Sequence, residues 1–265
     1  MSRRKTLHAV YVLHRRNYRD SSFLVEVFSR DYGRLGVVAR GARRRRSPWP
    51  AMLQPFYPLL LSWSGRGELK TVTDVEPNGA VSRLAAPVIF SGLYINELLI
   101  KLLAREDPHP RLFDCYDETV TQLAGLSAGS SMAMQEQRIL RIFEKRLLEE
   151  LGYRLLLDEE AGSGRPVEAH AVYLYRTQSG PVPVQDDTPG DTGQGIRGRS
   201  LQAFSREQLD DWESLRAAKR ITRAALAAAL SEGHRRLSSG RLRRVFQEHG
   251  RSRGGLSASS LKEPG

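Results

Sequence analysis

Along the first third of the chain apolar and polar positions alternate in short runs: Leu7 to Leu13, Phe23 to Ser29, Leu35 to Arg40, Phe56 to Trp63 and Leu69 to Val75. Each run is rich in Val, Leu, Phe or Tyr and is bounded by Gly, Asp, Ser or Pro, the pattern of short strands with turns between them. Five short strands hide their edges most simply by closing on themselves, and the common closure of this size is the five-stranded oligonucleotide-binding (OB) barrel.

After Pro87 the period lengthens from two to about 3.6. Val88 to Ala104 is apolar on nearly every face and predicts a buried central helix, while Leu112 to Leu123 and Met134 to Leu151 are amphipathic, the latter with Ile139, Phe143, Leu147 and Leu151 on one stripe. Gly152 supplies a stop. From Glu159 to Gly198 the helical pattern fails, leaving Gly, Pro and Asp around a strand-like pair, Ala171 to Tyr175 and Val182 to Val184. Ser205-Arg206-Glu207-Gln208 has capping-box spacing and predicts a helix running to about Leu230 with a break allowed, one face carrying Arg216, Lys219, Arg220 and Arg223 and the other Ile221, Ala225 and Ala228. Leu237 to Phe246 predicts a further short basic helix. The fold class is therefore α+β: residues 1–80 a five-stranded OB barrel, 81–248 an α-helical domain with a short hairpin excursion at 159–198, and 249–265 a disordered Gly- and Ser-rich tail.

Charge sharpens this division. The 265 residues hold 41 Lys and Arg against 30 Asp and Glu, a formal +11. Residues 1–50 carry +10, residues 51–200 carry −5 and residues 201–265 carry +6. Arg outnumbers Lys by 35 to 6, which suits bidentate phosphate contact. A GC-rich coding sequence would raise Arg, Ala and Gly together and produces the same ratio, but it does not place the excess at the two ends. Arg40 and Arg43, Arg44, Arg45 and Arg46 crowd the connection after the third predicted strand, with Trp49 just beyond; Arg15, Arg16 and Arg19 crowd the first connection. Four successive arginines cannot all be buried. Either they form a solvated basic loop or they hold phosphates beside a barrel face with Trp49 and Tyr57 available for base stacking; the second basic connection on the same small domain favours the latter.

No catalytic constellation assembles. The six histidines are scattered, no Gly-Lys-Ser or Gly-Lys-Thr exists for a P-loop, and Gly193 to Gly198 matches G-x-G-x-x-G without the preceding strand that dinucleotide binding requires. The acidic clusters Glu106-Asp107, Asp114-Asp117-Glu118 and Asp186-Asp187 read as solvated helix faces or loops. Cys115, the single cysteine, reads as a core thiol and excludes an internal disulfide or a multi-thiolate zinc site. No signal segment or spanning apolar stretch is apparent, which predicts a cytoplasmic protein.

Several stretches together resemble one family. Arg16-Asn17-Tyr18-Arg19-Asp20, Val27-Phe28-Ser29 with Gly33, Ala39-Arg40-Gly41-Ala42-Arg43, Leu53-Gln54-Pro55-Phe56 and Gly67-Glu68-Leu69 with Glu76 are similar to the N-terminal domain of the RecO family of bacterial recombination mediators. Tyr94-Ile95-Asn96-Glu97-Leu98, Glu106 to Pro110, Leu112-Phe113, Phe143-Glu144, Leu147-Leu148 and Leu151-Gly152 follow in the family order. The resemblance implies a DNA-repair accessory protein without a catalytic site or cofactor. It would bind single- and double-stranded DNA, anneal complementary strands, contact the acidic tail of single-stranded DNA-binding protein, and act with RecR to help RecA load. Many relatives carry a four-cysteine zinc module between the helices. Residues 159–198 contain no Cys, so no metal is expected and a hairpin is expected in its place. A different class remains open, an RNA-binding or ribosome-associated OB protein. The expected DNA surface comprises Arg15, Arg16, Arg19, Arg40, Arg43 to Arg46 and Trp49; Arg216, Lys219, Arg220 and Arg223 are expected to hold either the acidic tail or a second DNA strand.

Overall fold

A computed structural model describes residues 6–79, 84–127, 129–184 and 195–253, with the backbone alone for 233–253. The five N-terminal runs form β1 (His8–Tyr18), β2 (Ser22–Ser29), β3 (Gly33–Ala39), β4 (Pro58–Ser64) and β5 (Leu69–Pro77), closed as a barrel in the order β1-β2-β3-β5-β4. Only β3 and β5 pair in parallel. The alternation in sequence becomes inside and outside: Val10, Val12, Val25, Val27, Leu35, Val37, Leu59 and Leu61 fill the barrel. The residues between them on β1 and β2, Tyr11, Leu13 and Phe28, point outward and are buried all the same, because helices cover that side.

The helices are α1 (Trp49–Met52), α2 (Ile89–Leu102), α3 (Pro110–Ala124), α4 (Met132–Glu150), α5 (Gly198–Ser205) and α6 (Trp212–Arg253). Ile95 and Leu99 of α2, Tyr116 of α3, Phe143 and Leu147 of α4, Phe204 of α5 and Ile221 of α6 share one core with the outer face of the barrel. A buried amide fixes the junction: Asn96 donates through Nδ2 to the Leu13 carbonyl at 2.9 Å and accepts from the Tyr116 hydroxyl at 2.7 Å. The connection between α2 and α3 then straps across β2 and β3. Arg34 donates to the Leu103 carbonyl at 3.1 Å, the Glu106 amide donates to the Arg34 carbonyl at 3.0 Å, and Arg34 and Arg105 both engage Glu26. Gly33 is required here: its φ is +67° and a Cβ would fall 1.9 Å from the Asp107 carbonyl oxygen.

Four elements differ from the sequence reading. β1 runs to Tyr18, so Arg15 and Arg16 lie on a strand and only Arg19 lies in the connection. Ser205 ends α5 instead of capping a helix; Glu207 adopts φ 59°, the chain turns, and Asp211 caps α6 by accepting from the Ser214 amide at 2.8 Å. The capping-box spacing falls where the chain leaves α5: the Ser205 carbonyl accepts from Lys145 at 2.9 Å, and Glu207, between the two box residues, pairs with Arg146 at 2.8 Å. α6 continues unbroken through Arg253, taking in Leu237 to Phe246 and residues 249–253 of the expected tail; residues 254–265 lie outside the described residues. The excursion holds the expected hairpin, β6 (Val172–Arg176) with β7 (Gly180–Pro183), and a third strand, β8 (Ile196–Arg197), on the far edge of β6. Asp186, Asp187 and Gly193 lie outside the described residues. Gly198 opens α5, where a Cβ would meet the Glu168 carbonyl oxygen at 2.0 Å, so this glycine serves close packing.

Candidate nucleic-acid interface

The arginine-rich connection is anchored at both ends by buried apolar residues, Ala42 and Leu53, which project into the barrel core. Between them the chain makes successive turns, Arg44 N–H to the Gly41 carbonyl at 3.0 Å and Ser47 N–H to the Arg44 carbonyl at 2.9 Å. This leaves Arg43, Arg44, Arg45 and Arg46 exposed, with Arg40 exposed where β3 ends. The Arg43 amide donates to the Ser21 carbonyl at 2.8 Å, and its guanidinium reaches the Arg19 carbonyl at 3.4 Å. The two basic connections are therefore joined at one end of the barrel.

Arg16 and Arg19 are exposed beside them, Arg19 at φ 50° with its guanidinium 5.2 Å from the Tyr18 ring centre. Arg15 plays another part. It donates to the Pro50 carbonyl at 2.7 Å, lies 4.9 Å from the Phe23 ring centre and is half-buried, so that desolvation lowers its pKa. Trp49 opens α1 and rests half-buried on the barrel core with Met52. Arg15 and Trp49 brace the platform from which the exposed arginines project.

Several arginines elsewhere meet carboxylates. Arg30 pairs with Asp114 at 2.9 Å, Arg34 with Glu26 at 3.2 Å, Arg138 with Asp210 at 2.7 Å and Arg146 with Glu207 at 2.8 Å. Among the described residues, Arg16, Arg19, Arg40 and Arg43 to Arg46 have no such partner. Seven positive charges thus stand uncompensated at one barrel end. The outer face of β2 and β3, the usual oligonucleotide surface of such barrels, is occupied around Glu26, Arg34 and Gly36 by the Arg105 to Asp107 strap. The open surface is the arginine end.

The second expected cluster sits on α6, where Arg216, Lys219, Arg220 and Arg223 are exposed. Lys219 and Arg223 form part of the wall of a cavity of about 550 Å³ between α2, α4 and α6, otherwise lined mainly by Phe90, Tyr94, Leu140, Leu226 and Leu230. Arg216 and Arg220 lie outside that wall. On its inner side Glu144, fully buried, accepts from Tyr94 at 2.6 Å and Thr222 at 2.5 Å and pairs with Arg141 at 3.0 Å. Burial, reinforced by Glu144, pushes the Tyr94 phenol up. Arg141 also lines the cavity, and its buried Nε has no hydrogen-bond partner among the described residues. The cavity was not visible in the sequence, since its residues come from helices far apart in the chain.

Cys115 is buried and its thiol is pushed up by burial. No three His, Cys, Asp or Glu side chains gather as metal ligands among the described residues. In the excursion Glu160 accepts from Ser163 at 2.8 Å, Arg165 at 3.0 Å and the Tyr173 hydroxyl at 3.2 Å, so a carboxylate ties this loop together. No described helix is long and apolar enough to cross a membrane.

Comparison with known proteins agrees with this architecture on both sides of the chain. The family described as "Recombination protein O N terminal" matches residues 1–80, and "Recombination protein O C terminal" matches residues 88–238. The chain is 44% identical over 229 residues to a protein of Nitrosococcus oceani named "DNA repair protein RecO", covering 86% of this chain and 89% of that one. The protein of the same name from Pasteurella multocida is 42% identical over 241 residues, with 90% and 93% covered, and that from Haemophilus influenzae is 41% identical over 224 residues, with 84% and 89% covered. A closed five-stranded barrel, a helical region packed on it and matches running through both place this chain in the RecO family of DNA repair and recombination proteins.

Proposed function

We propose that the protein is a non-catalytic recombination mediator in the cytoplasm that binds single- and double-stranded DNA through the arginine end of its barrel, anneals complementary strands and helps RecA load on DNA coated by single-stranded DNA-binding protein, with RecR as a partner. The observation that carries this reading is the set of seven arginines gathered at one barrel end with no carboxylate partner among the described residues. Phosphate contact from guanidinium groups is blind to sequence and leaves base edges free to pair. Screening the repulsion between two strands speeds annealing.

The cavity on α6 supports a contact with the acidic tail of single-stranded DNA-binding protein. Its apolar lining with Lys219, Arg223 and Arg141 in the wall suits a peptide that is both acidic and apolar. In the reading proposed here the acidic tail docks in the cavity and the DNA lies on the barrel end.

The test is fluorescence anisotropy of a labelled single strand against salt. With about six neutralised phosphates, log affinity falls by about 4 per tenfold rise in salt. Replacing Arg43 to Arg46 together by Ala should lower that slope by about 3, at about 0.7 for each lost phosphate contact. An unchanged slope and affinity would remove the arginine end as the site. Competition by RNA of matched sequence with equal affinity would instead support an RNA-binding protein. Lys219→Glu with Arg223→Glu, both in the cavity wall, should abolish capture of the acidic tail while leaving barrel binding in place.

A further inference from the structure

The N-terminal half of α6 carries a surface that the barrel end does not use and that meets the cavity only at Lys219 and Arg223. At about 100° per residue along a helix, Trp212, Arg216, Lys219, Arg220 and Arg223 share one solvent face, and all five are exposed. Trp212 stands at the head of that stripe with 47% of its surface open, among the largest exposed apolar side chains of the described residues. Arg197 of β8 and Arg199 of α5 reach the same corner, and both engage Glu213, the neighbour of Trp212, Arg197 at 3.6 Å. One carboxylate therefore serves two guanidinium groups. Of the other acids nearby, Asp210 pairs with Arg138, and Asp211 accepts from the Ser214 amide and hydroxyl while its charge also faces Arg199. The surface is an exposed indole beside three exposed guanidinium groups, Arg197, Arg199 and Arg216, which outnumber the carboxylates of Glu213 and Asp211 by one.

We infer that this corner, Trp212 with Arg197, Arg199 and Arg216, is a second single-strand binding site, in which the indole stacks on a nucleobase while the arginines hold the adjoining phosphates. An indole face stacks on any base, and arginine adds phosphate contact without sequence preference, the combination that single-strand binding surfaces use. A peptide partner is less well suited, because the acidic apolar tail finds an apolar cavity further along α6 at Lys219 and Arg223. The inference rests on the proposed DNA binding and gives it a second strand, held apart from the strand on the barrel end. Two strands on one protein are what annealing requires.

The chain has three tryptophans, Trp49, Trp63 and Trp212. Changing Trp49 and Trp63 to Phe makes Trp212 the sole indole reporter in the full-length protein, its fold checked by circular dichroism. Titration with a dye-labelled oligothymidylate, followed by dye anisotropy and indole emission together, is expected to show emission falling by at least a third as the strand binds. In the otherwise native chain, Trp212→Ala should slow annealing of complementary strands by about fivefold or more, the low end of one lost base stack, and leave the affinity of the barrel end for a first strand within about twofold. Trp212→Tyr, which keeps an aromatic face, should restore most of the annealing rate. Strand binding by anisotropy with no change in Trp212 emission would overturn the second site and leave the barrel-end reading intact. Emission that responds to an acidic peptide and not to the oligonucleotide would overturn it in favour of a protein partner. No strand binding at all would overturn both readings.

Discussion

Arg146 and Arg44 are both arginines with exposed guanidinium groups, one on the helical side of the molecule and one on the barrel. Arg146 meets Glu207 at 2.8 Å and Glu118 at 3.3 Å; Arg44 meets no carboxylate among the described residues. The helical region repeats the first pattern at Arg138 and, buried, at Arg141, whereas the barrel end gathers the second at seven positions, Arg44 among them. Exposed ion pairs contribute little stability, about 0 to 1 kcal/mol each, so their main consequence is electrostatic: each pair cancels its own local field, while the seven arginines gathered at the barrel end leave theirs standing. Residue type alone is therefore a poor guide to a binding surface. The distribution of carboxylates around each arginine is the better one.

The comparison can be broken most forcefully at its buried member. Glu144→Ala should cost about 3–5 kcal/mol in urea unfolding, because it leaves Arg141 charged and uncompensated in the interior. Arg141→Met with Glu144→Leu should recover most of that loss, and neither variant should move the salt slope for DNA at the barrel end. A cost below about 1 kcal/mol for the single change would show that the pair is not what organises the α2, α4 and α6 contact.

Single arginines sharpen it next. Arg44→Ala should lower single-strand affinity about fivefold at 0.1 M salt, one phosphate contact, with stability unchanged to within about 0.5 kcal/mol. Arg146→Ala should do the reverse, costing about 1 kcal/mol of stability with DNA affinity untouched. Equal effects of the two on binding would erase the distinction drawn between the regions.

The smallest effect concerns pH. Burial alone would raise the Glu207 carboxyl, but Arg146 and Lys145 outweigh it and leave the pKa below the usual carboxylate value. A depressed acid contributes stability above its unfolded pKa and loses it as pH falls through the lower folded one. Glu207→Gln should therefore cost about 1 kcal/mol of stability at neutral pH after allowance for solvent exposure, read as a lower thermal midpoint. The difference between variant and native protein should shrink below about pH 4. A difference that stays constant to acid pH would assign the effect to packing of the Glu207 turn.

The alternation of Val10, Val12, Val25, Val27, Leu35 and Val37 was enough to place five strands, because a barrel interior imposes a period of two on each of them. The helices α2 to α4 were legible from their apolar stripes for the same kind of reason. The run Arg43 to Arg46 announced an exposed basic loop, since four adjacent charges have no buried alternative. What failed was local: the Ser205 capping spacing, and the end of β1 at Arg15 and Arg16. Both were decided by partners distant in sequence. Glu207 is held by Arg146 across 61 residues, and Arg15 by the Pro50 carbonyl across 35.

The sequence by itself determined the two kinds of element, their order, and the gathering of charge at the two ends of the chain, because hydrophobic period and linear charge density are local properties. Only the tertiary structure decided which charges remain uncompensated, that the β2 and β3 face is strapped by Arg105 to Asp107, that α2, α4 and α6 enclose a cavity, and that Arg197 and Arg199 come to stand beside Trp212. Those outcomes depend on which side chains meet across long stretches of chain, and a linear pattern carries no record of such meetings.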